Sequence, residues 1–212
     1  MHAALPTAPR LPQQARSRAS FERVLSTARD LLASRGYDGF TLHELSQSAQ
    51  VSIGSIYGRV AGKEELMRLV HQSVLDDIEA AQDALLAQPW DDMALEPMLT
   101  GFVGHFGDIL RRFAPLLRPL MLRANTDQAI GEAGVTSYHR FFEQAVALIL
   151  VHAGDIRHPE PDKAVRFCLF IAYSAFRNFL GLGSTHGEAS DLDWAALKAD
   201  VSRMCLSHLR HV

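Results

Sequence analysis

Eight residues between positions 41 and 63 are suited to contacts with phosphates and nucleic-acid base edges. They are Thr41, Ser52, Ile53, Gly54, Ser55, Tyr57, Arg59 and Lys63. Gly54 removes a side chain where backbone must approach a base edge, and Ser55 adds a small hydroxyl. Tyr57, Arg59 and Lys63 offer a phenol, a guanidinium fork and an ammonium to phosphate oxygens. A cap or a packed side chain is an equal alternative at any one position, so the prediction rests on the whole set.

No other group of residues in the sequence predicts a metal site, a disulfide framework or a catalytic site. The two cysteines, Cys168 and Cys205, are far apart in the sequence and lack CxxC spacing, which excludes a zinc or disulfide framework. No acidic or cysteine cluster completes a metal site around the closest histidine pairs, His152/His158 and His208/His211. The sequence contains no GxSxG, Walker, HExxH or strand-linked GxGxxG motif. We therefore expect no metal, no cofactor and no enzyme activity.

Charge is distributed unevenly along the 212 residues. The whole chain has a formal net charge of -3 and 48% hydrophobic residues, which suits one or two globular domains. Between Arg10 and Arg68, however, nine basic residues face six acidic ones, whereas the remainder has twelve basic and eighteen acidic residues. A positive end on a negative body is expected where only that end meets a polyanion.

The sequence does not predict secretion or a membrane span. The first ten residues lack the apolar core of a signal peptide, and the longest apolar stretches, such as 145–151, are much shorter than the ~18 residues of a spanning helix. With its isolated cysteines, the protein is expected in the reducing cytoplasm.

Residues that begin or end helices surround the eight candidate residues. Apolar residues recur every three or four positions from Phe21 to Leu32, and Gly36 supplies a C-cap. Thr41 and Glu44 form the capping box of a second helix, and Ser52 can cap a short third one. A long helix follows from about position 63 to Pro89. Three prolines predict that residues 1–15 are a disordered arm.

The rest of the chain repeats apolar residues at helical spacing in five further segments. These are 95–113, 114–123, 126–153, 162–182 and 192–211. No alternation typical of strands and no Asn-Gly hairpin occurs. The predicted fold class is therefore all-α, with about nine helices.

The segment 36–66 resembles the N-terminal DNA-binding domain of the tetracycline-repressor (TetR) family. The matching features are Arg-Gly-Tyr at the end of the first helix, TLHELSQSA, a Val-Ser turn, GSIY and KEEL. The resemblance implies a three-helix helix-turn-helix head over residues 16–62 and a helical ligand-binding and dimerisation body over 63–212. Two departures stand out: Tyr57 precedes Gly-Arg-Val rather than an aromatic, His and Phe, and Ile53 replaces a common Lys. Ile53 could touch a thymine methyl but cannot form a bidentate contact with guanine.

The body contains candidates for a small-molecule site. Aromatic and polar side chains at helical spacing could line an apolar cavity, which is the usual ligand site of helical bundles. They are Phe102, His105, Phe106, Met121, Tyr138, Phe142, Tyr173 and Phe176. Gly101, Gly104 and Gly107 either widen this cavity or permit close helix packing, and packing is the commoner reason for glycine inside a helix.

The resemblance implies a homodimer through the last two helices, and we place Val201 at its apolar seam. It also implies a regulator, predicted as a repressor, that leaves a palindromic operator when an apolar or aromatic effector binds the body. The alternative is a regulator with a closed body that a protein partner controls or that stays bound to DNA. An enzyme would need a polar constellation that the sequence lacks.

Overall fold

The computed structural model describes residues 11–182 and 193–210, and it is helical without strands in those ranges. The α-helices are α1 (Leu11–Arg35), α2 (Leu42–Ala49), α3 (Ile53–Tyr57), α4 (Lys63–Leu86), α5 (Leu95–Arg123), α6 (Gln128–Leu150), α7 (Pro161–Phe179) and α8 (Trp194–Arg210). Short 3-10 turns occupy Trp90–Asp92 and Ala153–Asp155. The all-α prediction is confirmed. No helix in the described part of the chain is long and apolar enough to cross a membrane.

The eight α-helices are one fewer than predicted because 95–123 is a single helix. Pro115 and Pro119 lie inside α5, where each removes a backbone donor at a local cost of about 3 kcal/mol. Burial of Leu110, Phe113 and Leu120 opposes that cost. Tertiary packing therefore continues a helix that local propensity would end, and the predicted break at 113/114 is wrong.

The prediction of a disordered arm over residues 1–15 is wrong for its last five residues. Residues 1–10 lie outside the described part of the chain, but α1 begins at Leu11, so residues 11–15 are helical. Pro12 is the second helical residue. A missing N–H costs little there, because the first four amides of a helix have no intrahelical acceptor. The end of α1 is as predicted, at a Gly36 with a φ of 73°.

The chain forms two compact units, residues 1–70 and 71–212. In unit 1, α1, α2 and α3 pack on one another and the beginning of α4 joins them, so the division between the two units lies inside α4. The predicted domain boundary at 62/63 stays a prediction. The core of unit 1 consists of Val24, Ala28, Leu32, Phe40, Leu45, Ile56, Val60, Leu66, Met67 and Val70.

In unit 2, α5 packs against α6, α7 and α8 around one apolar core. The Phe102 and Phe141 rings stack there with centroids 6.2 Å apart. Cys168 on α7 and Cys205 on α8, distant in sequence, are buried neighbours, and each Sγ donates to the other's carbonyl oxygen at 3.6 Å. Both thiols are free. No sequence pattern predicts that the two cysteines are neighbours, because their contact depends on how two helices pack.

Candidate nucleic-acid interface and cavity

A reciprocal cap fixes the beginning of α2. The Glu44 amide donates to Thr41 Oγ1 at 3.2 Å, and the Thr41 amide donates to Glu44 Oε2 at 2.7 Å. The Thr41 hydroxyl donates to the same carboxylate oxygen at 2.9 Å. These bonds from Thr41, the backbone one first, lower the pKa of Glu44 below its ordinary value. The predicted capping box is thus confirmed.

The turn between α2 and α3 is equally well defined. Gln50 adopts a left-handed conformation with a φ of 53°, and the Ser46 hydroxyl donates to the Val51 carbonyl at 2.6 Å. Ser52 then caps α3 by accepting from the Ser55 amide at 3.2 Å, and the two serine hydroxyl oxygens lie 2.8 Å apart. A helix, a tight turn and a second helix therefore succeed one another as a helix-turn-helix requires.

The short helix α3 has one buried side and one exposed side. Ile56 is fully buried, whereas Gly54, Ser55 and Tyr57 are exposed and Ile53 is half-buried. Tyr57 is 55% exposed, which disfavours the alternative that it only packs on the head's core. A Cβ on Gly54 would meet no atom within 4 Å. The exposed side of α3 can therefore accept an approaching surface.

Arg59 is held against α1. Its Nη2 donates to Ser17 Oγ at 2.6 Å, and its guanidinium carbon lies 4.8 Å from the centroid of the Phe21 ring. Arg59 and Arg23 line one groove of about 540 Å³ in unit 1, together with Ser52 and Ser55. The structure thus brings Arg59 together with α3 residues, and it adds Arg23, which sequence reasoning did not single out.

Lys63 has a structural role in unit 1. Its ammonium donates to the carbonyl oxygens of Tyr37 and Phe40. It also lies 4.4 Å from the centroid of the Phe40 ring and 4.8 Å from that of Tyr37. These contacts fix the first turn of α4 to the loop before α2. A phosphate contact by Lys63 stays a prediction, as it does for the other seven residues.

Unit 2 contains a cavity of about 490 Å³ between α4 and the helices that follow. Four predicted residues line it, and four do not. Phe106, Met121, Tyr138 and Tyr173 are among the lining residues, whereas Phe102, His105, Phe142 and Phe176 are not.

Burial in the core explains two of the four exceptions. Phe102 and Phe176 are fully buried in the core. His105 is exposed, and its Nδ1 lies 2.7 Å from the Gly101 carbonyl oxygen. Phe142 stays beside the wall, with its ring centroid 5.6 Å from that of Tyr138.

The glycines of α5 do not widen this cavity, because none of them lines it. A Cβ on Gly107 would lie 3.1 Å from Phe176 and 3.2 Å from Trp194. A Cβ on Gly101 would lie 3.0 Å from the Trp90 ring, whereas one on Gly104 would meet nothing within 4 Å. The cavity interpretation of these glycines is wrong, and close packing accounts for two of them.

Sequence reasoning missed the polar part of the cavity wall. His71, Gln82 and Ser137 are buried and line it. On α4, His71 and Gln82 share a face with Leu75 and Ile78, and that spacing is the signal that could have identified them. Desolvation lowers the pKa of His71, opposed by the nearby Asp127 carboxylate, which favours a neutral imidazole.

Exposed apolar side chains mark α7 and α8. Phe167 and Phe170 are 51% and 54% exposed, and Met204 is 47% exposed. Val201, predicted at a dimer seam, is instead 5% exposed within the core of unit 2. Val201 lies on the side of α8 that faces the core. Any interface between copies on these helices would therefore use the exposed Phe167, Phe170 and Met204.

Comparison with known proteins identifies the first unit. The model of bacterial regulatory proteins of the tetR family matches residues 24–70. The tetracycline repressor protein class E of Escherichia coli is 29% identical over 84 residues. That match covers 40% of this chain and 40% of the relative, so the chain spans less than half of the relative's length.

Solved structures share the fold over most of the chain. A TetR-family transcriptional regulator from Mesorhizobium loti has a TM-score of 0.69 at 19% identity, covering 92% of this chain and 96% of that one. A transcriptional regulator from Rhodococcus sp. Rha1 has a TM-score of 0.67 at 18% identity, covering 90% and 98%. At these identities the likeness concerns the fold. Residues 24–70, which contain the capped helix-turn-helix, are therefore similar in sequence to the bacterial regulatory proteins of the tetR family.

Proposed function

We propose that the protein is a homodimeric transcriptional repressor that leaves a palindromic operator when a small, largely apolar molecule binds unit 2. The observation that carries the proposal is the exposed side of α3. This helix is the second one of a helix-turn-helix in which Thr41 caps α2 and Ser52 caps α3. In such motifs the second helix reads the major groove and the surrounding residues hold phosphates. Thr41, Ser52, Ile53, Gly54, Ser55, Tyr57, Arg59 and Lys63 are the proposed DNA contacts.

The proposed homodimer follows from the symmetry of a palindromic operator. One head reaches one half-site, whereas a palindrome presents two related by a dyad, so a matching protein has the same symmetry. The exposed Phe167, Phe170 and Met204 of α7 and α8 supply apolar surface that a second copy would cover.

Release by a ligand rests on the cavity and on α4. This helix contributes Lys63 to the head and His71 and Gln82 to the cavity wall. A ligand that binds one position of α4 more tightly than another shifts the equilibrium between them, and it weakens DNA binding if the two heads no longer fit the half-sites. The volume and apolar wall of the cavity favour this mechanism over a closed body controlled by a protein partner.

Selection from a randomised duplex pool with the full chain tests DNA recognition. We expect a palindromic consensus. Gly54→Glu should weaken binding to it at least tenfold, because a carboxylate would face phosphates.

Gly104→Glu is the matched control, since it adds the same charge in unit 2 at another glycine with open surroundings. Equal binding by both variants, or selection of no consensus, would contradict the proposal.

A further inference from the structure

Gln82 has an unusual position in the wall of the unit 2 cavity. Gln82 is 7% exposed, and its side-chain oxygen Oε1 is buried without a hydrogen-bond partner in the protein. Buried polar groups are almost always paired, and an unpaired one costs free energy. Because Gln82 lines the cavity, a rotation of its side-chain amide toward the cavity would let a molecule inside supply the missing donor.

The charges of the wall restrict that molecule. Among the described lining residues none is Asp or Glu, so a cation would lose its hydration without gaining a counter-charge from the wall itself. Arg177 also lines the cavity, but it is exposed, and its Nε donates to the Leu182 carbonyl oxygen at 3.0 Å. A carboxylate placed against Gln82 Oε1 would meet a second acceptor. A neutral group with an O–H or N–H fits this position.

The shape of the wall restricts it further. His71 and Gln82 are eleven positions apart on α4, roughly 16 Å along a helix. Leu75 and Ile78 lie between them on the same face, and apolar and aromatic residues from α5, α6 and α7 complete the wall. The wall therefore suits an elongated molecule with an aromatic body and a polar end.

We propose that the cavity takes a neutral, elongated aromatic molecule whose terminal hydroxyl or amide N–H donates to Gln82. This inference deepens the proposed function and rests on it for its regulatory meaning. The binding chemistry itself can be tested without DNA.

Calorimetric titration of the full chain with 4-hydroxybiphenyl, 4-methoxybiphenyl and biphenyl-4-carboxylate tests the inference. The three probes share a body and differ in donor and charge. We expect the hydroxyl compound to bind about tenfold more tightly than the methoxy compound, as the loss of one buried hydrogen bond implies. The carboxylate should bind more weakly than the hydroxyl compound.

Gln82→Met should remove the preference for the hydroxyl compound and raise the melting temperature of the ligand-free protein, because the unpaired oxygen is gone. Gln72→Met is the matched control: Gln72 is an exposed glutamine on the same helix whose Nε2 donates to Asp76 at 2.8 Å. It should keep the preference.

Equal binding of the hydroxyl and methoxy compounds, tighter binding of the carboxylate, no binding by any probe, or a preference that survives in Gln82→Met would each overturn the inference. Release of DNA is measured separately with the selected duplex. Selective binding that leaves DNA bound would contradict ligand control and leave the Gln82 contact established.

Discussion

In unit 1 most polar side chains of the proposed interface are exposed, and those that cap helices are held by near neighbours, whereas in unit 2 the polar side chains His71, Gln82 and Ser137 of the cavity are buried between distant helices. Thr41 and Glu44 cap each other across three positions, and Ser52 accepts from the Ser55 amide at the same spacing. Gln82, by contrast, lies in a wall completed by α5, α6 and α7. Short-range hydrogen bonds therefore position the helix caps of the head, whereas the cavity of the body forms only when distant helices pack together.

The largest expected effect is the loss of the proposed dimer. Phe170→Glu places a carboxylate on the exposed apolar part of α7, where it would meet its own copy across a dyad. Sedimentation should show monomers, and operator affinity should fall by more than tenfold. Leu122→Glu, at a 52% exposed residue of α5, is the control and should stay dimeric. Dimers of normal affinity in Phe170→Glu would place the interface elsewhere.

A pair of glycine substitutions in α5 tests how closely the body is packed. Gly107→Ala pushes a methyl group into Phe176 and Trp194, so the free energy of unfolding should fall by about 1–3 kcal/mol. Gly104→Ala has open space and should raise it by up to about 1 kcal/mol, because alanine favours the helix. Urea denaturation measures both. A stabilised Gly107→Ala would show that the helices can separate.

Removal of a cap tests the local control of the head. Ser52→Ala leaves the Ser55 amide without its acceptor and should destabilise the beginning of α3 by about 1 kcal/mol. Hydrogen exchange should show faster exchange in α3 and the preceding turn, with amides of α5 to α8 unchanged. Faster exchange throughout unit 2 would mean that the two regions are not independently stabilised.

The smallest effect concerns pH. Since its bonds from Thr41 lower the pKa of Glu44, the stabilisation is complete above about pH 4.5, the ordinary value, and is lost as pH falls through the lower folded value. Glu44→Gln keeps an acceptor but cannot titrate. Hydrogen exchange of α2 between pH 6 and pH 3 should therefore change less in the variant. An identical pH dependence would remove Glu44 from this linkage.

The head could be predicted closely from sequence because its signals are local. Gly36, the Thr41–Glu44 box and the Ser52 cap each act within a few residues, and the structure has all three. Lys63 shows the limit, since its bonds to Tyr37 and Phe40 carbonyls join residues far apart in the chain.

The body could be predicted only as helices. The continuity of α5 through Pro115 and the meeting of Cys168 with Cys205 depend on tertiary packing. The inward phase of Val201 needs the register of α8 against its neighbours. Only four of the eight predicted effector-binding residues line the cavity. Helical spacing places residues on one face of a helix but does not say which face borders a cavity.

The salt dependence of binding to the selected duplex tests the central claim, that exposed groups of unit 1 hold DNA phosphates, most directly. Each phosphate neutralised contributes roughly -0.9 to the slope of log K against log salt, and a dimer with several contacts per head should give a slope steeper than about -4. Fluorescence anisotropy between 50 and 300 mM salt measures it. A slope near zero for the selected duplex would contradict the account.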